Sequence, residues 1–374
     1  MSCSKEPVSV LTLASGDLWA GAEAVVHQLA LGLREKPHIE HTVVLLNHGR
    51  LETLCAQAGI NTQVIDESRH GFAAILARLI AICRAVRPQL IHSHRYKENL
   101  LAALASLACG RPRLVTTVHG LSEGHNNTFK STLKGRVNRF LMRRAFDTTV
   151  AVSNDIASAL AEKAGAPAHR IITIFNGIDT HGIPPVNTKP RRDTITIGSA
   201  GRLFPVKDYS LMVDIARLTC EQRPAARFVL AGEGPEKGAI LNKIKACGLD
   251  NRFALLGHVD DMQAFYAGLD IYINTSMHDG MPMTVLEAMA RRIPVVAFAV
   301  GGLSEIISHA HDGYLIQNRD AQEFSQLLID LIDDRDRLQR FGDNAGSTVH
   351  KRFSTTRMTE SYCSTYTRLL GNRP

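Results

Sequence analysis

Short β-branched runs alternate with stretches of helical period along nearly all of the chain, and the alternation breaks only once. In the first half strands are expected at Val8–Leu13, Thr42–Leu46, Gln63–Ile65, Leu90–Ile91, Leu114–Val118, Thr148–Val152 and Ile171–Phe175. Between them, Ala22–Lys36 repeats apolar residues at Val25 or Val26, Leu29 and Leu33. Phe72–Arg87 does so at Leu76, Leu79, Ile80, Cys83 and Val86, with Pro88 ending it. Thr180 to Asp193 then holds three prolines and no periodicity, which marks a linker. Alternation resumes with strands at Thr194–Ala200, Phe228–Ala231, Phe253–Leu256, Ile271–Asn274 and Val295–Ala299. Helices are expected at Tyr209–Cys220, Glu236–Cys247, Asp261–Ala267 and Thr284–Arg292.

This pattern builds parallel sheets with helices on both faces, here twice over. A length of 374 residues agrees with two domains. The expected boundaries are residues 1–180, a linker at 181–193, and 194–354. In such sheets ligands bind beyond the carboxyl ends of the strands. Glycine, polar and charged residues gather there: Gly16 to Glu23, His119-Gly120, Gly201-Arg202, Gly232-Glu233-Gly234, Gly257-His258 and Asn274 to Pro282. Both halves thus carry their chemistry on one rim, which predicts a cleft between two facing domains.

The most informative segment runs from Ser276 to Ala290 (S-M-H-D-G-M-P-M-T-V-L-E-A-M-A). It leaves a buried strand and opens a helix near Met283. Backbone N–H groups at a helix start carry positive dipole and suit a phosphate. Gly280 permits close backbone approach, and Pro282 is tolerated before the first turn. Asp279 and Glu287 offer acceptors for sugar hydroxyls at either end of the turn.

The segment resembles the E-x7-E region of the family 4 retaining glycosyltransferases. The likeness continues through Gly201-Arg202-Leu203 with Lys207, Ala231 to Pro235, Leu256-Gly257-His258-Val259, Gly301-Gly302-x-x-Glu305 and Asp312-Gly313. In the first half Gly21-Ala22-Glu23, Val118-His119-Gly120 and Asn176 to Asp179 also match. The resemblance implies an α/β protein of GT-B fold, two facing Rossmann-like domains with parallel sheets and an interdomain cleft. It also implies that a final helix, about 355–374, packs back on the first domain.

By this resemblance, Arg202 and Lys207 bind the donor diphosphate, and His119 contacts the donor sugar near its reacting carbon. Glu287 holds the ribose and Asp279 the sugar. Gly21, Gly232, Gly280, Met281, Met283, Thr284 and Val285 line the phosphates and sugar, with His258 and Val259 near the base. Asp279 departs from the family's usual Glu by one methylene, and Ala20-Gly21 stands where two glycines are frequent. The implied reaction is retaining, front-face and metal-independent, with no cofactor beyond the nucleotide-sugar substrate. The acceptor is a glycan or lipid-linked sugar of surface polysaccharide, lipopolysaccharide or glycolipid synthesis. A sugar-nucleotide epimerase and a non-catalytic nucleotide-sugar-binding protein are the rival readings.

Composition bounds the setting. Seven scattered cysteines, never in a C-x-x-C pair, read as reduced thiols rather than a disulfide or zinc framework. No apolar run approaches the ~18 residues of a membrane span. A cytoplasmic protein is therefore expected. The net charge is +7, and Lys130, Lys134, Arg136, Arg139, Arg143 and Arg144 form an acid-free block. Leu133, Val137, Phe140 and Leu141 suggest an apolar face on the same helix. The block is expected to serve as a membrane or acceptor face on the inner side of the plasma membrane. It lacks the interleaved aromatics and reader motifs of nucleic-acid binding.

Overall fold

Each stretch of alternation closes into its own parallel sheet. The computed structural model describes residues 7–17, 19–120, 129–162, 165–181, 183 and 194–371. The chain divides into two units, Met1–Asp179 with Thr355–Pro374, and Thr180–Ser354. Most of the expected linker (182 and 184–193) lies outside the described residues.

The first unit holds β1 (Val8–Ala14), β2 (Ile39–Leu45), β3 (Asn61–Val64), β4 (Leu90–Ser93), β5 (Arg113–Val118), β6 (Thr148–Ala151) and β7 (Ile171–Thr173). They form one parallel sheet in the order β3-β2-β1-β4-β5-β6-β7. Successive side chains of a strand face opposite sides, so an apolar run feeds two cores. Leu11 and Leu13 pack with Ile75, Leu79 and Cys83 of the helix Phe72–Val86. Val43 and Leu45 pack with Val26 and Ala30 of the helix Gly21–Arg34. The helix Thr355–Gly371 completes this unit by burying Met358, Tyr362 and Tyr366. Gly32 lets it approach the helix Gly21–Arg34, because a Cβ there would collide with Thr359.

The second unit holds β8 (Ile195–Ala200), β9 (Ala226–Ala231), β10 (Phe253–Gly257), β11 (Ile271–Asn274), β12 (Val295–Phe298) and β13 (Gly313–Ile316). Their order is β10-β9-β8-β11-β12-β13, again all parallel. Both orders follow the dinucleotide-binding pattern, in which the strand sequence reverses beside the first strand. Phe228 and Phe253 stack at 6.0 Å within the core of this unit, and Phe298 meets Phe324 edge-on at 5.1 Å.

The helices Ala321–Asp333 and Arg335–Arg352 were not expected, and two strands also depart from the sequence reading. β13 was not foreseen, since Gly-Tyr-Leu-Ile is too short to show a period. β2 begins at Ile39 rather than Thr42, because Ile39, Glu40 and His41 pair with Val8, Ser9 and Val10. No helix among the described residues is long and apolar enough to cross a membrane.

Candidate active site

In the second unit the strand order reverses between β8 and β11, so the loops that follow them emerge side by side. They are laced together. Met277 N–H donates to the Val206 carbonyl at 2.8 Å, and the Thr275 hydroxyl donates to the Lys207 carbonyl at 2.9 Å. Lys207 ends a single 3-10 turn, Pro205–Lys207, and its ammonium donates to Asp279 Oδ2 at 2.6 Å. The Ser276 hydroxyl approaches the same oxygen at 3.2 Å and the Asn274 amide at 3.5 Å. The side chains of Lys207 and Asp279 are 21% and 13% exposed, so the pair keeps one open side. The short arm of Asp279 therefore still reaches the cation. Gly301, at φ 52°, packs against the Asp279 carbonyl where no Cβ would fit, and Gly302 N–H donates to that carbonyl at 2.9 Å. Arg202 is exposed on the same loop as Lys207, its guanidinium 4.7 Å from the Phe204 ring centre.

Asp279 leads through Pro282 into the helix Met283–Ala290, whose start has no side-chain cap. An uncapped start leaves amides and positive dipole for a ligand. Val285 N–H is already spent on the Pro282 carbonyl at 3.2 Å. The side chains of Met281, Met283 and Val285 are buried, and Gly280 is buried beside them. Glu287 sits one turn on from Met283. Tyr266 donates to its Oε2 at 2.7 Å, while Arg291 lies 4.9 Å from the Tyr266 ring centre. Burial raises the Glu287 carboxyl above the usual range.

The neighbouring loops complete this rim. Gly232 allows the loop after β9 to touch the loop after β8, since a Cβ would fall on the Gly201 carbonyl oxygen. Gly232 N–H donates to Gly257 O at 2.7 Å. His258 is exposed 3.2 Å from Asp260, with Val259 half-buried beside it.

The first unit reverses between β1 and β4. Gly21 opens its helix, exposed, and Glu23 in that first turn is buried against Arg95 from the loop after β4. Burial raises the Glu23 carboxyl, with Arg95 opposing. His119 follows β5, and its Nε2 lies 3.0 Å from His94 Nδ1, the two rings stacked at 5.3 Å. One ring must supply the N–H and the other the lone pair. The outward nitrogens, His119 Nδ1 and His94 Nε2, are buried without a partner among the described residues. His92 stands inside β4 rather than at its end. Its Nδ1 is 2.8 Å from the Tyr366 hydroxyl and its Nε2 2.8 Å from Thr117 Oγ1, which in turn is 3.0 Å from the Tyr362 hydroxyl. Burial holds His92 and His119 down at about 3 and lowers His94 well below the usual value.

The basic helix runs Phe129–Arg144. Lys134, Arg136, Arg139, Arg143 and Arg144 are exposed, while the side chain of Lys130 lies outside the described residues. The apolar face differs from expectation. Val137 and Leu141 pack into the core, which leaves Leu133 and Phe140 in solvent at 51% and 62% exposure. Among the described residues no three His, Cys, Asp or Glu side chains gather as a metal-holding group.

Two family models match the chain in tandem. Glycosyltransferase Family 4 matches residues 19–181, and Glycosyl transferases group 1 matches residues 185–348. The chain belongs to glycosyltransferase family 4. It is 23% identical over 321 residues to the UDP-Gal:alpha-D-GlcNAc-diphosphoundecaprenol alpha-1,3-galactosyltransferase of Escherichia coli, covering 76% of this chain and 80% of that one. N-acetyl-alpha-D-glucosaminyl L-malate synthase of Bacillus anthracis is 24% identical, with 78% of each covered. Among solved structures, Anabaena HepE in complex with UDP and glucose superposes with a TM-score of 0.82 at 23% identity, covering 95% of this chain and 98% of that one. The fold of this glycosyltransferase is GT-B, two parallel-sheet Rossmann-like domains.

Several supporting side chains of the glycosyltransferase escaped sequence reading. Asn274 and Ser276 lay in the polar cluster after β11, which was their signal. Tyr266 sits in the helix Met262–Gly268 with nothing local to mark it, and Tyr362 and Tyr366 read as ordinary positions of the last helix.

Proposed function

We propose that this glycosyltransferase moves a hexose from a UDP-sugar to a lipid-linked or glycan acceptor, with retention at the anomeric carbon and without a metal. The product would be a surface polysaccharide or glycolipid. One observation carries the reading: a lysine, a carboxylate and an uncapped helix start meet where the second sheet reverses. The lysine and the helix start suit a diphosphate by charge and the carboxylate suits a sugar hydroxyl, while Glu287, held by Tyr266, offers an acceptor one turn away for ribose hydroxyls. Relatives support the donor and acceptor classes. The E. coli relative is named for UDP-Gal and a diphosphoundecaprenol-linked sugar, and a Staphylococcus aureus relative for poly(ribitol-phosphate).

In this reading the bond from the sugar carbon to the phosphate oxygen breaks and its electron pair leaves with UDP. Lys207, Arg202 and the helix start take up that charge, a preorganised term in which one lost donor costs ~2.7–4 kcal/mol. The acceptor oxygen bonds the same face of the carbon, and its proton passes to a phosphate oxygen of the leaving group. Burial keeps His119 neutral, which suits it to a hydrogen bond rather than to pairing with a charge.

Release of UDP should require both a UDP-sugar and a polyprenyl-diphosphate sugar acceptor. UDP released from the donor alone, or an isomerised nucleotide sugar, would sink the transfer reading. Leu133 and Phe140 among five exposed cations further support docking on anionic lipid, where each cation contributes ~1 kcal/mol. Cosedimentation with phosphatidylglycerol vesicles should then fall when Leu133 and Phe140 are changed to Ser, and unchanged binding would count against it.

A further inference from the structure

Arg319 stands just beyond β13, in a turn that precedes the helix Ala321–Asp333. Its guanidinium lies 4.6 Å from the Phe298 ring centre, which fixes the plane of the fork. From there it reaches three acceptors on two other loops. Nη1 donates to the Ser276 carbonyl at 2.8 Å; Nη2 donates to the Thr275 carbonyl at 3.0 Å and to Asp208 Oδ2 at 2.6 Å.

Those acceptors bracket the Lys207–Asp279 pair. Asp208 directly follows Lys207 and holds a left-handed conformation, φ 47°, which a non-glycine residue adopts only when its surroundings enforce it. Its other oxygen caps the helix Tyr209–Gln222 by accepting from Leu211 N–H at 3.3 Å. Thr275 and Ser276 begin the loop that carries Asp279, and Ser276 touches the Asp279 carboxylate through its hydroxyl. One planar fork therefore ties the carboxylate of the residue just after the cation to the backbone just before the acid. A lysine could satisfy one of these acceptors but not the whole set, because it lacks the rigid fork. The Arg319 and Asp208 side chains are 32% and 21% exposed, so the value of the pair lies in geometry rather than in ion-pair energy.

We propose that Arg319 is a positioning residue for donor binding: it holds the Lys207 loop and the Asp279 loop at the separation a nucleotide diphosphate requires. This rests on the reading of the second unit as the UDP-sugar site. A misplacement of about 1 Å at a reacting site can cost up to about 100-fold in rate.

The test is a double-mutant cycle on the full chain, with UDP affinity by calorimetry and transferase turnover as readouts. Arg319→Ala should weaken UDP binding about tenfold or more, and Arg319→Lys should keep most of that loss. In a Lys207→Ala background, Arg319→Ala should add little to either readout, because the group it positions is gone. Fully multiplicative losses would mean that Arg319 merely supports the fold, and that outcome overturns the proposal. So would normal UDP binding by both Arg319 variants while Lys207→Ala is impaired. If Lys207→Ala itself leaves UDP affinity unchanged, the donor-site reading fails first, and the two failures are thereby told apart.

Discussion

At the reversal of the first sheet buried histidine rings lie beside the Glu23–Arg95 pair, whereas at the reversal of the second a lysine and an aspartate stand partly in water. The two sheets share a strand order, so topology alone does not set this difference. What sets it is depth. His92, His94 and Thr117 lie on or just past central strands and are wholly buried, where ionisation is costly and a neutral ring with fixed hydrogen bonds is favoured. Lys207 and Asp279 lie on loops past the strand ends, where water helps to carry their charge. The same scaffold thus carries a buried histidine cluster in one unit and a partly solvated ion pair in the other.

Acid should separate the units most strongly. His41, His92 and His119 have folded values pushed by burial to about 4, about 3 and about 3, below an ordinary 6.5. The unfolded chain therefore binds more protons between these limits, and stability present above pH 6.5 is lost as the pH falls. Glu23 and Glu98 are raised by burial and oppose this, but they are outnumbered. Peptide-resolved hydrogen exchange should show β1, β4 and β5 losing protection before β8 and β11 as the pH is lowered from 6.5 to 5. Simultaneous loss in both units would remove the contrast.

The next largest effect is kinetic. Lys207→Ala should lower turnover about 100- to 1,000-fold with little change in Tm, since it removes charge from a loop rather than from a core. A large drop in Tm with modest kinetic loss would show that the pair is structural.

The smallest effect sharpens the first unit. Tyr366→Phe deletes the hydroxyl beside His92 Nδ1 and should cost about 1–3 kcal/mol by chemical denaturation, with UDP affinity unchanged. A change in UDP affinity would instead couple the histidine cluster to the donor site.

Much of this architecture was readable because parallel strands buried on both faces leave dense apolar runs. Those runs located twelve of the thirteen strands among the described residues to within a few residues. The residue types at strand ends were readable too, Lys207 and Asp279 among them. Their pairing was not, because 72 positions separate them and only the sheet order makes their loops neighbours. Tyr266, Arg319 and the two tyrosines of the last helix were hidden for the same reason. The bond from Tyr366 to His92 spans 274 positions, so nothing local marks that histidine as part of an interior network.

That last separation has a consequence for synthesis. The hydroxyls of Tyr362 and Tyr366, which complete the hydrogen bonding of Thr117 and His92, belong to residues made after the whole second unit. On the ribosome, β8 to β13 are available to close while the interior of the earlier sheet still lacks two of its partners. The N-terminal half is thus first to be made and last to be finished. A nascent chain halted before residue 355 would carry a completed charged sheet and a neutral one still open to water and to chaperones.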